Sequence, residues 1–134
     1  MSQENVELVR EIYAQWARGN MRAGAEVLDS EIAFESQALP DADERVVAHG
    51  PEELETFMRG FIAQWADYRL IGEEFRDAGD KVFVAGRQAA RGRQSGAEVE
   101  LPMLSVWTFR ADRVVGLRFT PSRQKALEAA GLSE

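Results

Sequence analysis

Between residues 67 and 120 the apolar positions recur every second residue, in four runs separated by two to six residues. Alternation of this kind marks strands with one face on a core. Connections that short join antiparallel neighbours, because a parallel return needs a crossover of about a dozen residues or more. Consecutive antiparallel strands are therefore expected at 67–77, 81–91, 98–110 and 113–120. The separators are Ala78-Gly79-Asp80, the stretch from Gly92 to Gly96, and Ala111-Asp112, all residues that suit turns. A sheet built this way has one apolar face, and the preceding half of the chain must cover it.

That half has helical period. Val6, Val9, Tyr13 and Trp16 repeat at three- and four-residue spacing, widened by Leu8 and Ile12, with Ser2 as a candidate N-cap. Gly19 ends this helix, and Asn20 suits the cap of a short second one carrying Met21, Ala25 and Leu28. A strand follows at 31–37, where Ile32, Phe34 and Ser36 alternate with Glu31, Ala33 and Glu35. Residues 38–50 form an acidic loop broken by Pro40, with 46–48 pairing briefly at a sheet edge. Gly50-Pro51 opens a third helix whose stripe is Leu54, Phe57, Met58, Phe61, Ile62 and Trp65. Ser122 caps a last helix and Gly131 stops it. No linker or repeat divides the chain, so residues 1–134 are expected to form a single domain.

The chain lacks cysteine and has one histidine, His49, which excludes thiolate chemistry, disulfides and a two-histidine metal site within one copy. The acidic residues Asp41, Asp43 and Glu44 match no calcium-loop spacing. No metal or other cofactor is expected. A net charge of −7 disfavours nucleic acid. No apolar run is long enough for a membrane span and the acidic N-terminus is unlike a signal peptide, so a cytoplasmic location is expected. The sixteen basic residues are almost all arginine, which suits a GC-rich bacterial genome.

Strand 98–110 shows the sidedness of the sheet. Its odd positions, Val99, Leu101, Met103, Ser105, Trp107 and Phe109, should face the helices. Among the even positions, Leu104 and Val106 stand on an otherwise polar face with Glu98, Glu100 and Pro102, which implies a partner surface there. On strand 113–120, Val115, Leu117 and Phe119 should point inward, and Arg118 and Thr120 outward. Strand 81–91 is ambiguous. An inward face of Val82, Val84, Gly86 and Gln88 is preferred because it keeps Arg87 out of a low-dielectric interior.

The order helix, helix, strand, helix and four antiparallel strands resembles the nuclear transport factor 2-like superfamily, and the sequence is similar to its SnoaL-like branch, which includes polyketide cyclases. The stretches that carry the resemblance are ENVELVREIYAQWARGN, GPEELETFMRGF, DYRLIGEEFRDAGDKVFV, VWTFRADRVVGL and ALEAAGL. It implies an α+β cone: a curved antiparallel sheet wrapped around a long N-terminal helix, with a pocket at the open end. Among relatives by fold, ketosteroid isomerases use a tyrosine on the first helix, a general-base aspartate near the end of the first strand and an acid on the long strand. Tyr13 falls at the first position, Ser36 with Glu35 beside it at the second, and Ser105 at the third. A serine there lacks the basicity to take a proton from carbon. The catalytic sets of limonene epoxide hydrolases and scytalone dehydratases have no counterpart in the sequence.

The expected ligand is a small apolar, cyclic or polyketide-like molecule. Its pocket would be lined by Tyr13, Trp16, Phe34, Ser36, Phe57, Phe61, Gln88, Met103, Ser105, Trp107 and Phe119. If the protein is an enzyme, the candidate groups are Glu35 or His49 for proton transfer and Tyr13 as oxyanion donor. The alternative is a non-catalytic dimeric module whose cavity is filled by its own side chains. In either case the sheet's outer face predicts a homodimer.

Overall fold

A computed structural model describes residues 2–37 and 45–134. Residues 38–44, with Asp41, Asp43 and Glu44 of the acidic loop, lie outside the described residues. The helices are α1 (Ser2–Ala17), α2 (Pro51–Ile62) and α3 (Arg123–Ala130). The strands are β1 (Leu28–Ser36), β2 (Val46–His49), β3 (Trp65–Ala78), β4 (Lys81–Gly92), β5 (Glu98–Arg110) and β6 (Arg113–Thr120). They form one six-stranded sheet in the order β2-β1-β6-β5-β4-β3. The consecutive strands β3 to β6 pair antiparallel, and β1 inserts beside β6 in parallel. This is the expected α+β cone, a curved and unclosed sheet around α1.

Curvature comes from the chemistry of β3 and β4. The register shifts between Gly72 and Glu74, and Gly72 stands opposite Gly86. A Cβ on Gly86 would collide with the Ile71 carbonyl, and one on Gly72 would meet the rings of Phe75 and Tyr13. A paired absence of side chains next to a bulge lets two long strands fold over the helix. Tyr13 of α1 then packs edge-on against Phe75, with centroids 5.6 Å apart.

Several local expectations need correction. The short second helix is only a 3₁₀ turn, Ala25–Val27. Gly24 enters the left-handed region at φ 94°, which ends helical continuation, and Leu28 already belongs to β1. Helix α2 stops at Ile62, so Trp65 opens β3 instead of closing the helical stripe. On β6 a register shift beside Thr108 and Phe109 turns Val114, not Val115, into the core, where it is fully buried. On β4, Val82 and Val84 join the main core while Phe83 faces the other side, so the even face is the inward one.

The largest correction concerns the outer face. Leu104 and Val106 are each only 4% exposed, because they pack with Phe83 under Ala126, Leu127 and Ala130 of α3. The helix is seated by its own ends. The Ser122 hydroxyl accepts from the Lys125 amide, and Gly131 closes the other end at φ 74°. Arg123 ties it to β3 through Glu74, with a nitrogen–oxygen distance of 3.0 Å. A patch that would have called for a second copy is thus covered by the chain's own last helix. No helix among the described residues is long and apolar enough to cross a membrane.

Replacing Leu104 by Ala should therefore cost about 2–4 kcal/mol in urea unfolding, as for a buried leucine. A loss below about 0.5 kcal/mol, the value of an exposed position, would show that α3 does not cover it.

Candidate functional site

At the wide end of the cone the helices and the sheet do not meet. They leave a recess of about 1050 Å³. Helix α2 supplies one wall through Leu54, Phe57, Met58 and Phe61, its inward stripe at three- and four-residue spacing. The sheet supplies the opposite wall from inward positions of successive strands, including Tyr68, Gln88, Ala90 and Met103. Phe34 and Ser36 of β1, with Leu117 and Phe119 of β6, form the side, and Trp16 and Trp107 lie at the inner end. Aromatic rings continue around the wall. Phe34 and Phe57 are 5.7 Å apart, Phe57 and Phe61 stack at 6.0 Å, and Phe61 meets Tyr68 edge-on at 5.1 Å.

Of the residues expected to line the pocket, Trp16, Phe34, Ser36, Phe57, Phe61, Gln88, Met103, Trp107 and Phe119 stand on this recess. Tyr13 and Ser105 do not. They lie in the core behind the two indoles, 4% and 0% exposed, and are bonded to each other at 2.6 Å. The Trp107 indole N–H donates to the same Ser105 oxygen at 3.0 Å. Each polar group of the triad has a partner, as buried hydroxyls require. Burial pushes the Tyr13 hydroxyl far above its ordinary pKa, and the hydrogen bonds of Ser105 and Trp107 offset only part of that.

The two candidate proton-transfer groups are elsewhere. Glu35 sits on the outer face, as strand alternation demands of a neighbour of Phe34 and Ser36. There it bonds Arg45 and lies 4.0 Å from Arg118, beside a separate depression of about 360 Å³. His49 is at the β2 edge with its side chain 64% exposed, 4.0 Å from Glu31. Its backbone N–H donates to Glu53 at 2.9 Å, a contact that fixes the start of α2. Among the described residues the carboxylates on the recess lining are Glu55 and Asp67. Both are exposed at the rim and paired, Glu55 with Arg59 and Asp67 with Arg69.

Several lining residues were outside the sequence-based pocket, among them Leu54, Met58, Ala90 and Leu117, and two of them, Tyr68 and Trp65, carry polar groups. Tyr68 shares the inward alternation of β3 with Leu70, and its hydroxyl donates to Gln88 Oε1 at 2.9 Å. Burial raises its pKa well above the ordinary tyrosine value, and repulsion from Tyr13 adds to the shift. Trp65 lines the rim, and its indole nitrogen is buried without a hydrogen-bond partner among the described residues, a state that costs about 1–3 kcal/mol. The corner it occupies is pinned by Arg93, which donates to the carbonyls of Ala63 and Trp65 at 3.1 and 3.0 Å. The neighbouring Arg87 faces outward between Glu73 and Glu100.

The fold has counterparts among known proteins. A model of the SnoaL-like domain matches residues 9–117. Among functionally curated proteins no sequence matches. Among solved structures, an NTF2-like protein of unknown function from Burkholderia pseudomallei is similar at 22% identity and a TM-score of 0.74, over 92% of this chain and 95% of that one. A protein with a ketosteroid isomerase-like fold from Catenulispora acidiphila, in complex with trimethylamine, aligns at 16% identity and a TM-score of 0.73, over 95% and 94%. TerC, co-crystallised with polyporic acid, aligns at 16% identity and a TM-score of 0.72, over 95% and 98%. At such identities the likeness is one of fold.

The chain's two tyrosines, Tyr13 and Tyr68, both hold their protons more tightly folded than unfolded. Below the unfolded pKa of about 10 their contribution to stability is complete, and above it stability falls as pH rises toward the raised folded values. Alkaline titration followed by phenolate absorbance should show no ionisation until the protein unfolds. Each Tyr→Phe replacement should lessen the steepness of the loss by about 1.4 kcal/mol per pH unit. Early phenolate formation in the folded protein would contradict the burial of these hydroxyls.

Proposed function

The chain belongs to the SnoaL-like domain family, and we propose that in this member the recess binds a small, flat, largely apolar ring compound without transferring a proton to or from it. One observation carries the reading. The recess is wide and aromatic, yet the carboxylates on its described lining are paired at the solvent rim, and Glu35 and His49 point away from it. Enolisation at neutral pH requires a base within hydrogen-bond reach of the proton, and among the described residues the inner wall offers none. Ser36, at the position where ketosteroid isomerases carry their aspartate, contributes a hydroxyl in place of a carboxylate. Apolar walls of this size suit ligands with rings, and TerC, a protein of similar fold, was co-crystallised with polyporic acid. The volume of the recess also argues against an interior filled by its own side chains.

A homodimer fits the same reading, but on a narrower surface than the sequence implied. With Leu104 and Val106 covered and Ala85 packed against the same cluster, the free part of the outer face is the strip of Ile71, Arg87 and Ala89 on β3 and β4, flanked by Pro102. In this proposal a second copy pairs there. Light scattering at micromolar concentration should give twice the chain mass, and Ala89→Glu should halve it. A monomeric unmodified protein would remove the proposal.

The binding reading is tested with a panel of cyclic ketones, lactones and phenols. At least one should bind in the micromolar range, about 7–9 kcal/mol, quench or shift the emission of Trp16 and Trp107, and raise the melting temperature by mass action. Ala90→Phe, which fills the recess from β4, should weaken that binding by about tenfold or more while circular dichroism stays unchanged. A Δ5-3-ketosteroid should isomerise no faster than in buffer. Rapid isomerisation, or undiminished binding to the filled variant, would sink the reading.

A further inference from the structure

Most of the recess wall is hydrocarbon, so its polar groups stand out. Tyr68 and Gln88 lie diagonally across β3 and β4, where Tyr68 pairs with Ala90 and Leu70 with Gln88. Their side chains bond to each other at 2.9 Å and both face the recess. No other hydrogen bond holds either side chain among the described residues.

A phenol and a primary amide bonded once to each other have hydrogen-bonding capacity left over. With the tyrosine hydroxyl donating to Oε1, the amide N–H pair and the phenolic lone pairs remain. With the amide turned about, Nε2 donates to the phenol, and the phenolic O–H and the amide oxygen remain. Both arrangements present one donor and one acceptor side by side. Next to them, the Trp65 indole nitrogen is buried without an acceptor. This corner of the recess is therefore short of acceptors and able to serve a group that both gives and takes a hydrogen bond.

We propose that the Tyr68–Gln88 pair is the recognition point of the recess, and that it selects neutral aromatic compounds bearing a hydroxyl or carbonyl group at the ring edge over bare hydrocarbons of the same shape. The inference rests on the ligand-binding reading above. The surrounding rings give the ligand its orientation. Phe61 stands edge-on to Tyr68 at 5.1 Å and Trp65 lies 6.4 Å away, so rings in contact flank the polar pair, and a flat ligand packs on this aromatic surface with a polar group at its edge turned to the pair. Charge disfavours anions at this corner. Burial keeps the Tyr68 phenol neutral, and Arg93, the cation here, is already committed to the Ala63 and Trp65 carbonyls. The other arginines of the lining, Arg22 and Arg59, are exposed at the rim, so a carboxylate or phosphate at the polar pair would lose its water without a counter-charge beside it.

The test uses two probes of matched shape, naphthalene and 2-naphthol, titrated calorimetrically into the full chain at pH 7. The unmodified protein should bind 2-naphthol about 5- to 30-fold more tightly, the range of one or two net hydrogen bonds. Gln88→Leu should reduce that preference to below about twofold. Amide spectra of the unmodified protein provide a measurement that needs no variant. 2-Naphthol should shift the Gln88 side-chain NH₂ resonances and naphthalene should not. If both probes bind with equal affinity and the Gln88 resonances stay still, the recognition point is overturned while the binding reading stands. If neither probe binds, nor any member of the wider panel, the binding reading itself fails.

Discussion

The seat of α1 in the bend of the sheet determines the rest of the molecule. A sheet of long antiparallel strands twists but does not fold over sharply by itself. Here the paired glycines Gly72 and Gly86 and the bulge beside them let β3 and β4 close on the helix. Tyr13 fills the angle, edge-on to Phe75 and hydrogen-bonded to Ser105 on β5. One side chain thus touches the bent strands and the central strand at once. Because its hydroxyl is satisfied inside the core, the helix cannot slide without leaving buried polar groups unpaired. The wide end stays open because α1 is fixed at the narrow one.

Fixing Tyr13 in this way also separates structure from chemistry. In ketosteroid isomerases the corresponding tyrosine faces the ligand; here the indoles of Trp16 and Trp107 stand between it and the recess. Strand alternation removes the nearest carboxylate, since Glu35 must turn to the opposite face from Phe34 and Ser36. Among the described residues the recess keeps its aromatic wall, the neutral pair Tyr68 and Gln88, and charged groups that are exposed at its rim. Under the proposed reading these serve recognition of a ligand.

Much of this was legible in the residues themselves. The period-two runs marked β3 to β6 within a few residues of their ends, because each has one apolar face and turn residues at its borders. The choice that kept Arg87 outside also placed β4 correctly: Val82 and Val84 join the main core, while Phe83 packs on the other face. The failures have a common cause: a pattern of apolar residues states that a surface is covered but not by what. Leu104 and Val106 signalled a partner, and the partner was α3, whose own apolar residues, Ala126, Leu127 and Ala130, are too small and few to announce it. Val115 was misassigned because a bulge shifts register without altering composition. Trp65 fitted the helical stripe of α2 by spacing, and no residue between Ile62 and Trp65 marked the turn. Within the site, aromatic positions were legible from their faces. The depth of each was not, so Tyr13 and Ser105 could not be told from true lining residues before the two indoles were placed.

The partition made by Trp16 and Trp107 has a bearing on how such a protein changes over generations. It is one side chain thick. Losing the Trp16 indole would join the recess to the space over Tyr13 and Ser105, and a dry, self-satisfied pair of hydroxyls would become the floor of a deeper chamber. What lies behind the partition is a hydrogen-bonded set, Tyr13, Ser105 and the Trp107 N–H, whose polar atoms now satisfy one another. The same indole packs on Tyr13, Trp107 and Phe119 and donates to the Ala23 carbonyl, so any substitution that deepened the chamber would also loosen the end of the first helix: here the size of the cavity and the stability of the fold are set by one side chain.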